Sequence, residues 1–158
     1  MKIQSYLMPR GFRPLGIIFV VVGSILLILK YWFNYKPDYL NLKVFALYSF
    51  YIETKTFEVI THQMIADIGG LFLLAGLFLI AFTKEKVESQ DLDALRLKAF
   101  FLTAYLNIIY LFFSILFFYG FGFVGVLTFF VVYWLAVYLI IFRYLLYRNK
   151  LANLSGNI

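Results

Sequence analysis

Apolar residues occur in long runs along the chain, and short polar segments separate these runs. The first run, from Pro14 to Phe33, has the roughly 20 residues that a helix needs to cross a bilayer. The second, from Ile68 to Thr83, is preceded by apolar residues at helical spacing, which predicts one helix from Phe57 to Thr83. The run from Ala99 to Phe142 has no formal charge, and as a single helix it would be about 66 Å long. Because that is about twice the hydrocarbon thickness, this run must fold back on itself.

Three glycines mark the place where the long run reverses, because Gly120, Gly122 and Gly125 permit a tight turn. The pattern therefore predicts an all-α membrane protein, a four-transmembrane-helix bundle in a single domain. Its predicted segments are span 1 (14–33), an outside cap (34–56), span 2 (57–83), an inside connection (84–91), span 3 (92–119), a turn (120–125), span 4 (126–147) and a cytoplasmic tail (148–158).

The basic residues predict the orientation of these spans. With both termini inside, ten of the fourteen Lys and Arg residues lie in the inside segments or at the adjoining ends of the spans, and the other four lie toward the outside at Lys30, Lys36, Lys43 and Lys55. Basic residues are enriched in cytoplasmic segments of membrane proteins. We therefore expect a multi-pass protein of the inner (cytoplasmic) membrane with cytoplasmic N- and C-termini.

The predicted cap is not a plain polar loop, because residues 44–52 are rich in aromatic and aliphatic side chains. This composition favours a short strand or β-hairpin over the outer mouth of the bundle. A re-entrant or interfacial segment is the alternative. Either structure would serve as a packed cap over the helix ends or as a lid that binds a ligand or partner.

The composition supports a membrane protein and excludes several other classes. The chain is 64% hydrophobic and only 14% charged, whereas about a quarter of the residues in a soluble domain are charged. The absence of cysteine excludes disulfide scaffolds and thiolate metal sites. The basic residues flank the apolar runs and form no block, so the expected partner is the lipid bilayer and not nucleic acid.

Polar residues inside the predicted spans are the first candidates for function. Thr103, Asn107, Tyr110 and Ser114 follow one another at helical spacing and form one stripe on span 3. Exposing an amide to lipid is costly, so we expect the stripe to face the bundle. It would then hydrogen-bond to neighbouring helices or line a polar pocket or conduit.

His62 and Asp67 are candidate interfacial polar residues near the start of span 2. On one continuous helix these two side chains would point about 140° apart. A metal site usually needs three or four ligands, so the sequence favours neither a metal nor a cofactor. It also contains no recognisable acid dyad, phosphate loop or nucleophile–base arrangement, and this favours a protein that is not an enzyme.

Two further patterns bear on packing. Gly16 and Gly23 are seven residues apart, as are Gly69 and Gly76, which permits close approach of spans 1 and 2. The residues 84–98 alternate in charge, and they are expected to form either a solvated helix start with an exposed Asp93–Arg96 pair or a surface that docks a cytoplasmic partner.

Several segments resemble those of small four-span bacterial inner-membrane proteins of unassigned function. The similar segments are 81–88 with 92–96 (AFTKEKVE and LDALR), 44–48 (VFALY) and 67–70 (DIGG). The resemblance implies a bacterial, four-helix, inner-membrane protein, and it carries over no catalytic residue or ligand.

Two functional hypotheses follow from these patterns. The first is a non-catalytic membrane protein that acts through protein contacts, such as an accessory subunit of an envelope complex or the membrane partner of a regulatory system. Its partner would be another membrane protein or a second copy of the chain. The alternative is a binding or transport module for a lipid or apolar small molecule, with Asn107 in its pocket.

Overall fold

The computed structural model describes residues 7–50, 54–86, 90–119 and 121–155. Within these residues the fold consists of four helices and one antiparallel pair of strands. In chain order the elements are α1 (Phe12–Tyr31), a short 3-10 turn (Asp38–Leu40), β1 (Asn41–Phe50), β2 (Thr54–Gln63), α2 (Ile65–Ala81), α3 (Gln90–Phe117) and α4 (Phe121–Ser155).

Three of the described helices, α1, α3 and α4, are long and apolar enough to cross a membrane. The fourth, α2, is also apolar but has only 17 residues. The fold is therefore mostly helical and has the composition of a membrane protein, as the sequence predicts.

A β-hairpin begins in the predicted cap (34–56) and extends beyond it to Gln63. Strands β1 and β2 pair in a register that runs from Asn41 opposite Gln63 to Phe50 opposite Thr54. Residues 51–53 lie outside the described part of the chain. Of the two structures expected for the cap, the strand pair is the one present.

The prediction that a helix begins at Phe57 is wrong. Residues 57–63 belong to β2, and α2 begins only at Ile65. A short apolar pattern fits a strand as well as a helix, and the Thr-rich, β-branched composition of residues 54–61 favours the strand. The polar residues 61–63 are thus the end of β2 and not part of a helix.

The predicted turn at 120–125 is also shorter than expected, because α4 begins at Phe121. Gly122 and Gly125 lie inside its first turns, where each costs about 1 kcal/mol relative to Ala. A long apolar run still favours the helix over an extended loop in this segment. Gly120 lies outside the described residues.

The chain divides into two compact units, a larger one of Met1–Ile18 with Leu74–Ile158 and a smaller one of Phe19–Leu73. In the larger unit α3 and α4 pack antiparallel, with Ala99 against Phe142 and Leu145. Residues before α1 also pair with the chain after α2, because the Met8 N–H donates to the Phe82 carbonyl at 2.8 Å.

In the smaller unit, glycine allows the backbones of α1 and α2 to touch. A Cβ atom at Gly23 would lie 2.5 Å from the backbone nitrogen of Leu73 and 2.7 Å from the carbonyl oxygen of Gly69. In the larger unit, a Cβ atom at Gly16 would lie 3.0 Å from the Gly76 carbonyl oxygen. The close approach predicted from the glycine spacing is therefore confirmed.

The start of α2 is tied to the hairpin and to the end of α1, all within the smaller unit. The Met64 N–H donates to the Leu40 carbonyl at 3.0 Å, and the Lys30 ammonium donates to Gln63 Oε1 at 2.7 Å. Ile65, at the first position of α2, is 1% exposed. These contacts fix the point at which the strand changes into the helix.

Candidate functional site: a buried polar face on α3

One face of α3 is buried, and most of that face is polar. Its buried residues are Leu92, Arg96, Ala99, Thr103, Asn107 and Ser114, and Tyr110 on the same face is half-buried. Successive members are four or three residues apart, in a pattern that repeats from Leu92 to Thr103 and from Thr103 to Ser114. An 11-residue repeat corresponds to about 3.67 residues per turn, so this face follows the length of a nearly straight helix.

The other faces of α3 carry large apolar side chains that are exposed. Ile108, Phe112 and Phe117 are examples, each more than half exposed. A soluble helix buries its apolar face and exposes its polar face. The reverse arrangement is the one expected where lipid surrounds the helix, because a polar group facing hydrocarbon is costly.

The four residues of the predicted stripe therefore share one face of α3, and this face is turned toward α4. Most of their hydrogen bonds nevertheless join residues within α3. Thr103 Oγ1 donates to the Ala99 carbonyl at 2.7 Å, Asn107 Nδ2 to the Thr103 carbonyl at 2.8 Å, and Ser114 Oγ to the Tyr110 carbonyl at 2.7 Å. Hydroxyl and amide groups in helices commonly bond back to the preceding turn. For Thr103, Asn107 and Ser114 the bonds are thus within α3 and not between helices.

Tyr110 is the member of the stripe that contacts α4 through polar and aromatic groups. Its hydroxyl donates to the Val126 carbonyl at 3.5 Å, and its ring stacks on Tyr133 with centroids 4.6 Å apart. Phe130 lies on the same ring at 5.9 Å. Stacked aromatic pairs add about 0.5–1.5 kcal/mol beyond the area that they bury. Tyr110 therefore joins the two helices mainly through its ring.

The side-chain carbonyl oxygen of Asn107 is buried and accepts no hydrogen bond from the residues that the structure describes. The whole residue is only 4% exposed. A buried acceptor without a donor costs about 1–3 kcal/mol. Among the described side-chain polar atoms of the stripe, this oxygen is the buried one that has no hydrogen-bond partner.

Arg96 begins the buried face and is only 4% exposed. Its guanidinium lies over the ring of Phe142 at 5.5 Å from the centroid, and Phe142 in turn stacks on Tyr138. The nearest Asp93 oxygen is 3.9 Å away, and the Asp93 side chain is only 14% exposed. The expectation of an exposed Asp93–Arg96 pair is therefore wrong, because both side chains are largely buried and Arg96 packs on Phe142 of α4.

Sequence reasoning missed the burial of Arg96, although a signal was present. Leu92, Arg96, Ala99 and Thr103 share one helical face, so a buried Ala99 and Thr103 imply a buried Arg96. An arginine can be buried where its charge meets a carboxylate and an aromatic face.

His62 and Asp67 are brought together by the change from strand to helix. His62 Nε2 and Asp67 Oδ2 are 2.8 Å apart, and both side chains are partly exposed. Asp67 lies in the first turn of α2, where a negative charge is favourable. The expected divergence of about 140° is wrong because the two residues do not share one helix.

Among the described residues no group of three or more His, Cys, Asp or Glu side chains is arranged to hold a metal ion.

The fold and the buried polar face define a class, a helical protein with three helices able to cross a membrane and an attached β-hairpin. Comparison with protein families, with curated proteins and with solved structures finds no match.

Proposed function

We propose that this chain is a multi-pass membrane protein that acts through protein contacts, and that its β-hairpin binds the partner. In this proposal α2 is a fourth span, both termini are cytoplasmic and the hairpin lies outside. The excess of basic residues in the inside segments supports the orientation. The bacterial inner membrane and the role of accessory subunit follow from the resemblance and from the absence of a recognisable catalytic motif in the sequence.

The observation that carries this proposal is the exposure of large apolar side chains on β2. Phe57 is 71% exposed and Val59 is 64% exposed, and they lie two residues apart on β2. Phe57 also has a φ of 55°, a left-handed backbone conformation that costs a non-glycine residue about 1–2 kcal/mol. Contiguous exposed apolar residues mark binding surfaces, and strained residues concentrate at functional sites.

The architecture of the hairpin supports the same conclusion. Within the described residues the sheet has two strands, so each strand pairs along one side only. A two-stranded hairpin is marginally stable by itself, and an open edge can accept a further strand. An extended segment of a partner protein would supply hydrogen bonds to that edge and cover Phe57 and Val59.

Site-specific photocrosslinking in cells tests the proposal. A photoreactive amino acid at Val59 should give an adduct with a discrete protein mass, because the partner covers this face. The same group at Phe112, exposed on α3, is the matched control and should react with lipid alone. An adduct of twice the chain mass would identify the partner as a second copy. Lipid adducts alone at Val59 would contradict the proposal.

A second function, binding of a lipid or apolar small molecule, is favoured by the buried Asn107 oxygen. A ligand with a hydroxyl or amide donor would satisfy this acceptor. Native mass spectrometry of the purified protein should then show a co-purified small molecule. Asn107→Leu should lose that molecule, and unchanged retention would eliminate this site.

A further inference from the structure

A cluster of three charged side chains lies within the larger unit. Glu85, which follows α2, contacts two arginines. Arg13 Nη1 donates to Glu85 Oε2 at 2.7 Å, and Arg143 Nη2 lies 3.2 Å from Glu85 Oε1. The Arg13–Glu85–Arg143 cluster therefore joins the start of α1, the chain after α2 and the later part of α4.

All three residues lie at the ends of apolar segments. Arg13 directly precedes the first apolar run, Glu85 is four residues beyond the end of α2, and Arg143 directly follows the uncharged run that ends at Phe142. If the helices cross a bilayer, these positions correspond to the boundary between hydrocarbon and headgroups. That boundary is where the phosphate groups of lipids lie.

The accessible part of the cluster is cationic. The Glu85 side chain is 14% exposed, whereas the Arg13 and Arg143 side chains are 25% and 43% exposed. Two guanidinium groups on one carboxylate leave a net charge of +1. Each guanidinium has five N–H donors in a fixed plane, so contact with Glu85 leaves donors that can face outward. Lys84 and Lys86, on either side of Glu85, add further positive charge.

We infer that the Arg13–Glu85–Arg143 cluster binds a phosphate group, supplied by an anionic phospholipid in the adjacent leaflet. Glu85 holds the two guanidinium groups close together, so little conformational freedom is lost when they bind. Planar guanidinium groups recognise phosphate oxygens through paired, charge-assisted hydrogen bonds. This inference does not depend on the binding partner of the hairpin, but it does require that the helices cross a membrane.

Native mass spectrometry in detergent tests this site. The purified full chain is mixed with equal amounts of phosphatidylglycerol and phosphatidylcholine that have identical acyl chains. Both lipids carry a phosphate, but the choline ammonium would be placed against Lys84 and Lys86. We expect the first bound lipid to be mainly phosphatidylglycerol in the unmodified protein.

The matched variants separate a built site from general positive charge. Arg143→Gln should lower the preference for phosphatidylglycerol about fivefold, the effect expected for one basic residue at a lipid surface. Arg148→Gln removes the same charge from the same helix, but Arg148 lies near the Tyr144 ring instead of Glu85. It should change the preference less than about twofold if the cluster is a specific site. Equal effects of the two variants, or no preference in the unmodified protein, would overturn the inference.

Two controls keep the outcome interpretable. Arg143→Lys preserves the ion pair with Glu85 but loses the planar fork, so it should keep the unfolding temperature and still weaken the lipid preference. If Arg143→Lys keeps the full preference for phosphatidylglycerol, the inference that the planar guanidinium of Arg143 recognises phosphate is wrong. Millimolar inorganic phosphate is then added to the unmodified protein. If the lipid stays bound, the phosphate group that the cluster binds belongs to a lipid. If inorganic phosphate displaces the lipid, the cluster binds phosphate by the same chemistry but takes it from a soluble ligand.

Discussion

Single residues decide how closely α1 and α2 approach. At Gly23 any side chain would strike the backbone of α2, which cannot rotate away as the end of a flexible side chain can. Gly70, on the same helix as Gly69, has open space where its Cβ would be. The contact with Gly23 is therefore made at Gly69 and not at its neighbour Gly70.

Gly23→Ala should lower the stability of the folded protein by about 1–3 kcal/mol, the usual cost of overpacking. Gly70→Ala is the matched control, and it should be neutral or stabilising by up to about 1 kcal/mol because alanine favours the helix. Thermal unfolding of both variants in the same detergent measures the difference. Equal unfolding temperatures of Gly23→Ala and Gly70→Ala would show that the backbones of α1 and α2 are too far apart to touch at Gly23.

The burial of Arg96 gives a second prediction at this scale. Arg96→Gln should destabilise the protein by about 3–5 kcal/mol, because it leaves the largely buried Asp93 carboxylate without its nearest cation. Lys98 lies two residues after Arg96 and is exposed, so Lys98→Gln removes the same charge and should have little effect on stability. Resistance to denaturation in mixed micelles compares the two. A mild effect of Arg96→Gln would mean that the guanidinium is solvated.

Among the elements, the sequence predicts α1, α3 and α4 best, because a long uncharged apolar run fits a helix and little else. The spacing of Thr103, Asn107, Tyr110 and Ser114 also predicts that they share one face. Their bonding partners could not be predicted, since a hydroxyl can donate equally to its own helix or to a neighbouring helix. The start of α2 was misplaced because residues 57–63 fit both periodicities.

Cysteine pairs test the hairpin and its register, and the chain has no native cysteine to interfere. Val44 lies opposite Ile60 in the strand pair, so Val44→Cys with Ile60→Cys should form a disulfide on mild oxidation. Val44→Cys with Thr61→Cys is the control and should oxidise poorly, because adjacent residues of a strand point to opposite faces. Gel mobility with and without reductant distinguishes them. Equal oxidation of both pairs would contradict the register.

At the scale of the whole molecule, the sequence predicts a membrane protein, and the three long helices agree with that class. The number of crossings depends on α2, whose 17 residues do not decide the matter by length. The chain reversal between α3 and α4 also depends on backbone geometry that glycine permits but does not specify. Topology therefore has to be measured.

Labelling of single cysteines by a reagent that does not cross membranes measures the topology. Ile3→Cys and Asn157→Cys should both be protected in intact cells, and Ser49→Cys in β1 should be labelled. This pattern follows from an even number of spans with the hairpin outside. Labelling of residue 3 or residue 157, but not both, would indicate an odd number of crossings.

The length of α2 has a consequence for the surrounding lipid. Its 17 residues rise about 25 Å, whereas the hydrocarbon layer is about 30 Å thick. As a span it would be a case of hydrophobic mismatch, accommodated by local thinning of the bilayer or by drawing the polar groups at its ends toward the acyl chains. A protein with such a helix would partition preferentially into thin bilayers. Reconstitution into lipids of graded acyl-chain length would reveal this as a stability optimum at the shorter chains.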